Sequence, residues 1–390
     1  MNIALSHLSL NFLGGEEKLC LSFIEALKAS NHHVTLFTVE KTNWRTVKSV
    51  FGKVTMPDEE IFATPLPIHN NFSKISTLMF SYTNYLAGLI KLNFRRKYDV
   101  VVNTYGDLFN SIADVTYVHF PIRATLDYCQ IPAFASPFKW KVYSKVYDLS
   151  SLFTDSIKPS ILLTNSKFTQ QVIKKYLNKD SLLLHPPVAV QNYISKNVKR
   201  KNYIVTISKF TPKRCLHKIP LIACRTRNVK FIVIGVADKY SLETIQNLRK
   251  TISMYHVEDR VILSPNVSRS TLINYLTEAK AYLHVMPFEH FGISVVEAMA
   301  AGCVPIVHRS GGPWLDILNQ QQGESGFSYI TIEEAAQIID LIMSNESLRM
   351  DVSFNAQRRA LLYDTSVFQR KLNKIIKKFD EQDVSNYGSL

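Results

Sequence analysis

Apolar residues in this chain fall in short, β-branched runs that alternate with stretches of helical spacing. Residues 2–6 predict a strand, residues 16–29 place Leu19, Phe23 and Leu27 on one helical face, and residues 33–38 predict a second strand. Further strands are predicted at Tyr98–Val102, Val115–Val118 and Ile161–Thr164. The second half repeats the scheme at Tyr203–Ile207, Phe231–Ile234, Val261–Leu263, Ala281–Val285 and Val304–Val307, with helical segments between. Such alternation implies parallel sheets covered by helices on both faces. His185-Pro186-Pro187 and the polar, basic stretch 191–202 mark the link between two halves. We therefore expect one domain over 1–190 and a second over 200–365, with a last helix in 366–390 packing back on the first.

In sheets of this kind, ligands sit beyond the carboxyl ends of the strands. Here those ends are followed by Gly14-Gly15, Asn103-Thr104, His119, Asn165-Ser166, Lys209 and Glu289. Small, polar or charged residues thus stand at functional edges in both halves. The fold class this describes is α/β, of the GT-B kind: two doubly wound, Rossmann-like domains facing one another across a cleft.

Composition narrows the picture in three ways. A chain of 390 residues that is 46% hydrophobic, with only 13 Gly and 15 Pro, is globular and long enough for two cores. Its five cysteines are scattered without a C-x-x-C pair, which argues against a disulfide frame or thiolate metal site and favours a reducing, cytoplasmic setting. Residues 1–6 read as a strand rather than a signal peptide, and no apolar run is long enough to span a bilayer. The net charge of +14 is spread along the chain, with 20 basic against 14 acidic residues up to residue 190 and 26 against 18 beyond it. Diffuse positive charge suits nucleotide diphosphates, anionic membrane or nucleic acid, and does not choose among them.

The chemistry is concentrated between Pro287 and Gly302. Ile293–Ala301 predicts a helix that is apolar nearly all round and therefore buried. Glu297 lies in its early turns, and a buried carboxylate is costly unless something bonds it; a ribose diol would. The helix start at Phe291, Gly292 and Ile293 offers free amides to phosphate or sugar oxygens. Glu289, just before it, can accept bonds from sugar hydroxyls.

Two glutamates with seven residues between them, followed by A-M-A-A-G, resemble the E-x7-E motif of the GT4 family of retaining glycosyltransferases. The likeness continues through Val304-Pro305-Ile306-Val307 and Ser310-Gly311-Gly312-Pro313. It implies that Glu289 contacts a donor sugar and Glu297 a ribose. Within that family, E-H-F-G-I-x-V-V-E, Val118-His119-Phe120-Pro121, Asn165-Ser166-Lys167-Phe168-Thr169 and Asn266-Val267-Ser268 are similar to the α-1,2-mannosyltransferases of dolichol-linked oligosaccharide synthesis. This covers most of residues 100–320 and implies GDP-mannose as donor, with UDP-sugars open, and a lipid-linked oligosaccharide or other glycan as acceptor.

No D-x-D occurs, so metal-free handling of the diphosphate is expected, with fixed cations in its place. Lys209 and Arg214 supply them, although the family places Arg first and Lys second, which moves the bidentate fork. A solvated basic turn is the plain alternative. Gly14-Gly15-Glu16-Glu17 resembles a G-G-x-E turn whose glycines let a donor approach; an ordinary tight turn would look the same. The resemblance puts His119 near the reacting carbon, whereas a lone histidine is more often structural. Asn103, Asn165 and Ser166 are weaker acceptor-side candidates, and capping explains the last two equally well. The family implies front-face substitution, since no carboxylate pair stands out as nucleophile and acid.

Segment 75–90, followed by Lys91, Arg95, Arg96 and Lys97, and the run Phe138–Lys145 could lie on an anionic membrane. A core-facing helix with a basic end explains the first as well. A GT-B epimerase or phosphorylase, and a basic nucleic-acid-binding protein, remain as alternatives; the last lacks any recognisable module.

Overall fold

The computed structural model describes residues 1–64, 83–92, 97–106, 112–128, 161–194, 198–238 and 241–387. Its first sheet contains β1 (Asn2–Ser6), β2 (His33–Glu40), β3 (Glu59–Thr64), β4 (Val100–Asn103), β5 (Val115–Val118), β6 (Ile161–Thr164) and β7 (Leu182–Leu183), in the order β3-β2-β1-β4-β5-β6-β7. The second contains β8 (Lys201–Ile207), β9 (Lys230–Gly235), β10 (Val261–Pro265), β11 (Ala279–His284), β12 (Val304–His308) and β13 (Phe327–Tyr329), in the order β10-β9-β8-β11-β12-β13. Every pairing is parallel. Central strands such as Val100–Asn103 are buried throughout, which is why their sequences run apolar instead of alternating.

Strand order reverses at β1/β4 in one sheet and at β8/β11 in the other, creating a crevice at each reversal. The predicted strands were found, with three additions at or near the sheet edges. β3, reading EEIFAT, is half-exposed and acidic; β7 has two residues; β13 follows the polar run Gln320–Gly326. None carries the apolar run that marks an interior strand. Tyr98 lies outside β4, which begins at Val100.

The link is more structured than its polarity suggests. Val188, Val190 and Tyr193 are buried in the second core beside Val295, Val296 and Met299. The helix Thr365–Tyr387 leaves the second sheet and packs on the first, where Phe368, Leu372 and Ile376 join the core around Phe23. The Phe23 and Phe368 rings meet edge to face at 5.4 Å.

A further junction joins the halves. Both carboxylate oxygens of buried Asp316, from the second half, accept the Lys167 amide at 2.8 and 3.0 Å, at the start of the helix Lys167–Leu177 of the first half. His185 bonds the same carboxylate at 2.9 Å, while Arg359 and Tyr363 donate to the Asp316 carbonyl at 2.9 and 2.8 Å.

Of segment 75–90, the helix 83–92 is a core element in its described part. Tyr85, Leu89 and Leu92 are buried around Phe37, and the Tyr85 hydroxyl donates to Asn103. Gly88 presses on the Phe37 ring so closely that a Cβ there would overlap it. Residues 75–82, Arg95, Arg96 and the run 138–145 lie outside the described residues. Among the described residues no helix is long and apolar enough to cross a membrane.

Candidate functional site

The carboxyl ends of β1, β4 and β5 face those of β8 and β11 across a cleft of about 950 Å³. Gly14, Gly15, Lys18, His119 and Asn165 line it from one side; Lys209, Arg214, His284, Glu289 and Glu297 line it from the other.

Glu289 is held at both oxygens. Oε1 accepts the His290 amide at 3.1 Å, and Oε2 accepts Nη1 of Arg214 at 2.5 Å with His284 Nε2 at 3.5 Å. Burial pushes its pKa up, but the Arg214 guanidinium and His284 outweigh this and hold the carboxyl well below its usual range. The glycines of Ser310-Gly311-Gly312-Pro313 make the loop crossing possible. The Gly312 amide donates to the Glu289 carbonyl at 2.8 Å, and a Cβ on Gly311, which sits at φ +69°, would stand 2.3 Å from that same oxygen.

Gly292, at φ +98°, opens the helix Ile293–Ala300 without a side-chain cap, so its first amides remain for a ligand. Glu297 is 9% exposed on this helix. The cleft-facing carboxylate is not as bare as its sequence setting implies. Oε1 accepts the Tyr193 hydroxyl at 2.6 Å and Lys18 Nζ at 3.3 Å. Arg269 in turn donates to Tyr193 at 3.4 Å and stands over its ring at 5.9 Å. Burial, then the charge of Glu297, raises the Tyr193 pKa, so this phenol stays a donor. Any group that bonds Glu297 from the cleft therefore has to share it with Tyr193 and Lys18. Both are remote in sequence from residue 297, and Tyr193 lies in the segment read as a polar link.

The two cations divide their work. Arg214 is committed to Glu289, with a further contact to Met286 sulfur. Lys209 is exposed over the glycine turn, its Nζ 3.7 Å from where a Gly14 Cβ would stand. The turn also meets the second half at Gly15, where a Cβ would lie 3.8 Å from Ile293.

His119 donates from Nε2 to the Thr104 carbonyl at 3.0 Å, and Asn165 donates to the His119 carbonyl at 2.7 Å. Asn165 thus lines the cleft while positioning the histidine strand end. Ser166 is a helix cap, accepting the Thr169 amide at 3.0 Å. Asn103 is buried and does not line the cleft: its carboxamide accepts Tyr85 and the Tyr105 amide at 2.5 and 2.9 Å. Buried Tyr85 and the bend at Tyr105 take up the polar group that ends β4. Phe291 contributes backbone to the cleft, but its ring packs between His185 and Tyr363, at 5.5 and 5.3 Å.

His290 stacks face to face on Phe120 of the opposite half at 4.0 Å, with Nε2 buried and unbonded. Burial pushes its pKa down to about 3. In the unfolded chain the same ring takes up a proton near 6.5, so stability is full above that pH and falls as pH drops towards 3, by about 1.4 kcal/mol per unit for one such group. Denaturant titrations at pH 7 and 5 will show His290→Phe losing less stability on acidification than the unsubstituted chain. Equal losses would mean that His290 is not the neutral ring described.

Among the described residues, no three His, Cys, Asp or Glu side chains converge as a metal site requires.

Two facing parallel sheets with their switch points opposed across one cleft define the GT-B fold. Residues 191–359 match the family described as Glycosyl transferases group 1. The chain is 26% identical over 307 residues to the GDP-Man:Man(3)GlcNAc(2)-PP-Dol alpha-1,2-mannosyltransferase of Dictyostelium discoideum, covering 73% of this chain and 59% of that enzyme. It thus spans about three fifths of the length of the first curated relatives it matches. It is also 24% identical to the Alpha-1,3/1,6-mannosyltransferase ALG2 of the same organism, over 97% of this chain and 98% of ALG2. In structure it resembles Anabaena Alr3699/HepE in complex with UDP and glucose, with a TM-score of 0.71 at 16% identity, over 97% of this chain and all of the other.

Proposed function

We propose that this protein is a retaining mannosyltransferase that moves a hexose from GDP-mannose to a lipid-linked oligosaccharide without a metal ion. The observation that carries the proposal is the placement of Glu289 and Glu297 on either side of one uncapped helix start, facing Lys209, the glycine turn and His119 across the cleft. Glu297 takes the ribose hydroxyls. The amides from Phe291 to Ile293 and the Lys209 ammonium take the diphosphate, stabilising the charge that grows on it as the bond to the anomeric carbon breaks. Glu289, kept anionic by Arg214 and His284, accepts bonds from the sugar hydroxyls. The acceptor hydroxyl attacks from the face the phosphate leaves, and its proton passes to the departing phosphate oxygen. The mannosyltransferases to which the chain is similar support the choice of sugar and acceptor. A net charge of +14 suits a pyrophosphate-bearing lipid at an anionic surface, on the cytoplasmic side.

The test is transfer and ligand-induced thermal shift in excess EDTA. GDP and GDP-mannose should raise the melting temperature more than UDP or UDP-glucose, by mass action on the folded state, and mannose should pass to a lipid-pyrophosphate oligosaccharide. A shift with UDP-sugars alone refutes the donor, loss of transfer in EDTA refutes the metal-free route, and free sugar isomers without acceptor refute the transferase.

A further inference from the structure

His7 lies one residue past β1, at the switch point of the first sheet, and is completely buried. Its surroundings determine where its protons sit. The Thr104 hydroxyl donates its one proton to the Ser6 carbonyl at 3.0 Å, so the same oxygen can only accept from His7 Nδ1, also at 3.0 Å. Nδ1 therefore carries a proton. Nε2 stands 3.7 Å from Oε1 of Glu17, a buried carboxylate, and has no hydrogen-bond partner. A lone pair on Nε2 would face that anion in a dry interior, so Nε2 carries a proton too, and the pair is imidazolium against carboxylate. Burial pushes the His7 pKa down, but Cys20 and Glu17 on the helix Gly15–Ala29 raise it further, to about 10. The Tyr105 ring packs edge-on against it at 5.5 Å.

Each arm of this histidine ends at the cleft. Through Glu17 it reaches the glycine turn, because Oε2 of Glu17 accepts the Gly14 amide at 2.5 Å. A Cβ at Gly14 would stand 2.8 Å from that oxygen, so a larger residue would push the Glu17 carboxylate aside. Through Thr104 it reaches His119, because the Thr104 carbonyl accepts His119 Nε2 at 3.0 Å. Buried Glu17, His7 and Thr104 form one connected series under the first-half wall of the cleft, ending at half-buried His119.

We propose that His7 is a positioning residue that fixes both elements this wall brings to the donor, the Gly14-Gly15 turn beside the diphosphate and the His119 ring beside the sugar. The proposal rests on the reading of the cleft as a nucleotide-sugar site. It separates into two arms because the two ring nitrogens serve different partners.

The test uses four variants of the full chain, each checked for folding by its melting temperature. His7→Asn keeps a donor near the Nδ1 position for Thr104 and gives up the charge facing Glu17; His7→Gln reaches towards Glu17 and gives up Thr104. His7→Asn should raise donor KM about tenfold with kcat nearly kept, and His7→Gln should lower kcat about tenfold or more with KM nearly kept. Thr104→Val should reproduce the His7→Gln loss, and Thr104→Ser, which keeps the hydroxyl, should recover the rate. Folded variants whose KM and kcat both match the unsubstituted protein, with only a lower melting temperature, would overturn the proposal. If the unsubstituted protein transfers no sugar, the functional reading fails, and GDP affinity still judges His7: His7→Asn binding GDP as tightly as the parent overturns the Glu17 arm.

Discussion

Glu289→Gln will lower kcat for sugar transfer by about two to three orders of magnitude while leaving donor KM within a few-fold. The amide keeps the size of the carboxylate, so Gly312 still bonds the main-chain carbonyl and the loop keeps its course. What goes is the negative charge that Arg214 and His284 hold in place, which in the proposed mechanism bears on the sugar as charge develops at its anomeric carbon. Alanine at this position adds an unpaired guanidinium to the loss, so Glu289→Ala should be slower still at similar stability. Single-turnover rates with saturating donor measure the effect, and a Glu289→Gln rate within threefold of the parent would remove Glu289 from the reaction.

The second large effect concerns binding. Glu297→Ala should weaken GDP about a hundredfold by calorimetry, the scale of two charge-assisted hydrogen bonds, and should abolish transfer at ordinary donor concentrations. Tyr193 and Lys18 lose their shared acceptor in the same step. The control is a nucleotide lacking ribose hydroxyls. Dideoxy-GDP should bind parent and variant alike if the diol is what Glu297 holds, and an unequal response there assigns the residue to Lys18 and Tyr193 alone.

The fold was readable because buried parallel strands are apolar runs that helices must separate. The spans Val115–Val118 and Ile161–Thr164 coincide with predicted ones. Edge strands such as Glu59–Thr64 escaped because one face and one rim meet water, which removes the apolar constraint. On the site, the two glutamates stood out because a carboxylate in an apolar helix demands a reason. The groups that bond them did not. Tyr193 comes from a segment of polar composition, Lys18 from a surface-like helix turn, and His7 from a strand end with no neighbouring motif. Their roles arise only where chain segments far apart meet, and no local pattern records that. Asn103 shows the converse: a polar residue at the right edge whose partners, Tyr85 and Tyr105, are its own neighbours in the fold.

The carboxylate at Asp316 sets a condition on how such a cleft can gape. Its two oxygens supply an anionic seat for the first amide of Lys167–Leu177, in the other half, and the same side chain meets His185. Parting the halves at this corner would strand a buried acid and leave the Lys167 amide without its acceptor, at about 1 kcal/mol or more, although Ser166 would still cap the helix from its own side. Motion that admits a bulky substrate is therefore least costly as a swing with this corner as its fulcrum.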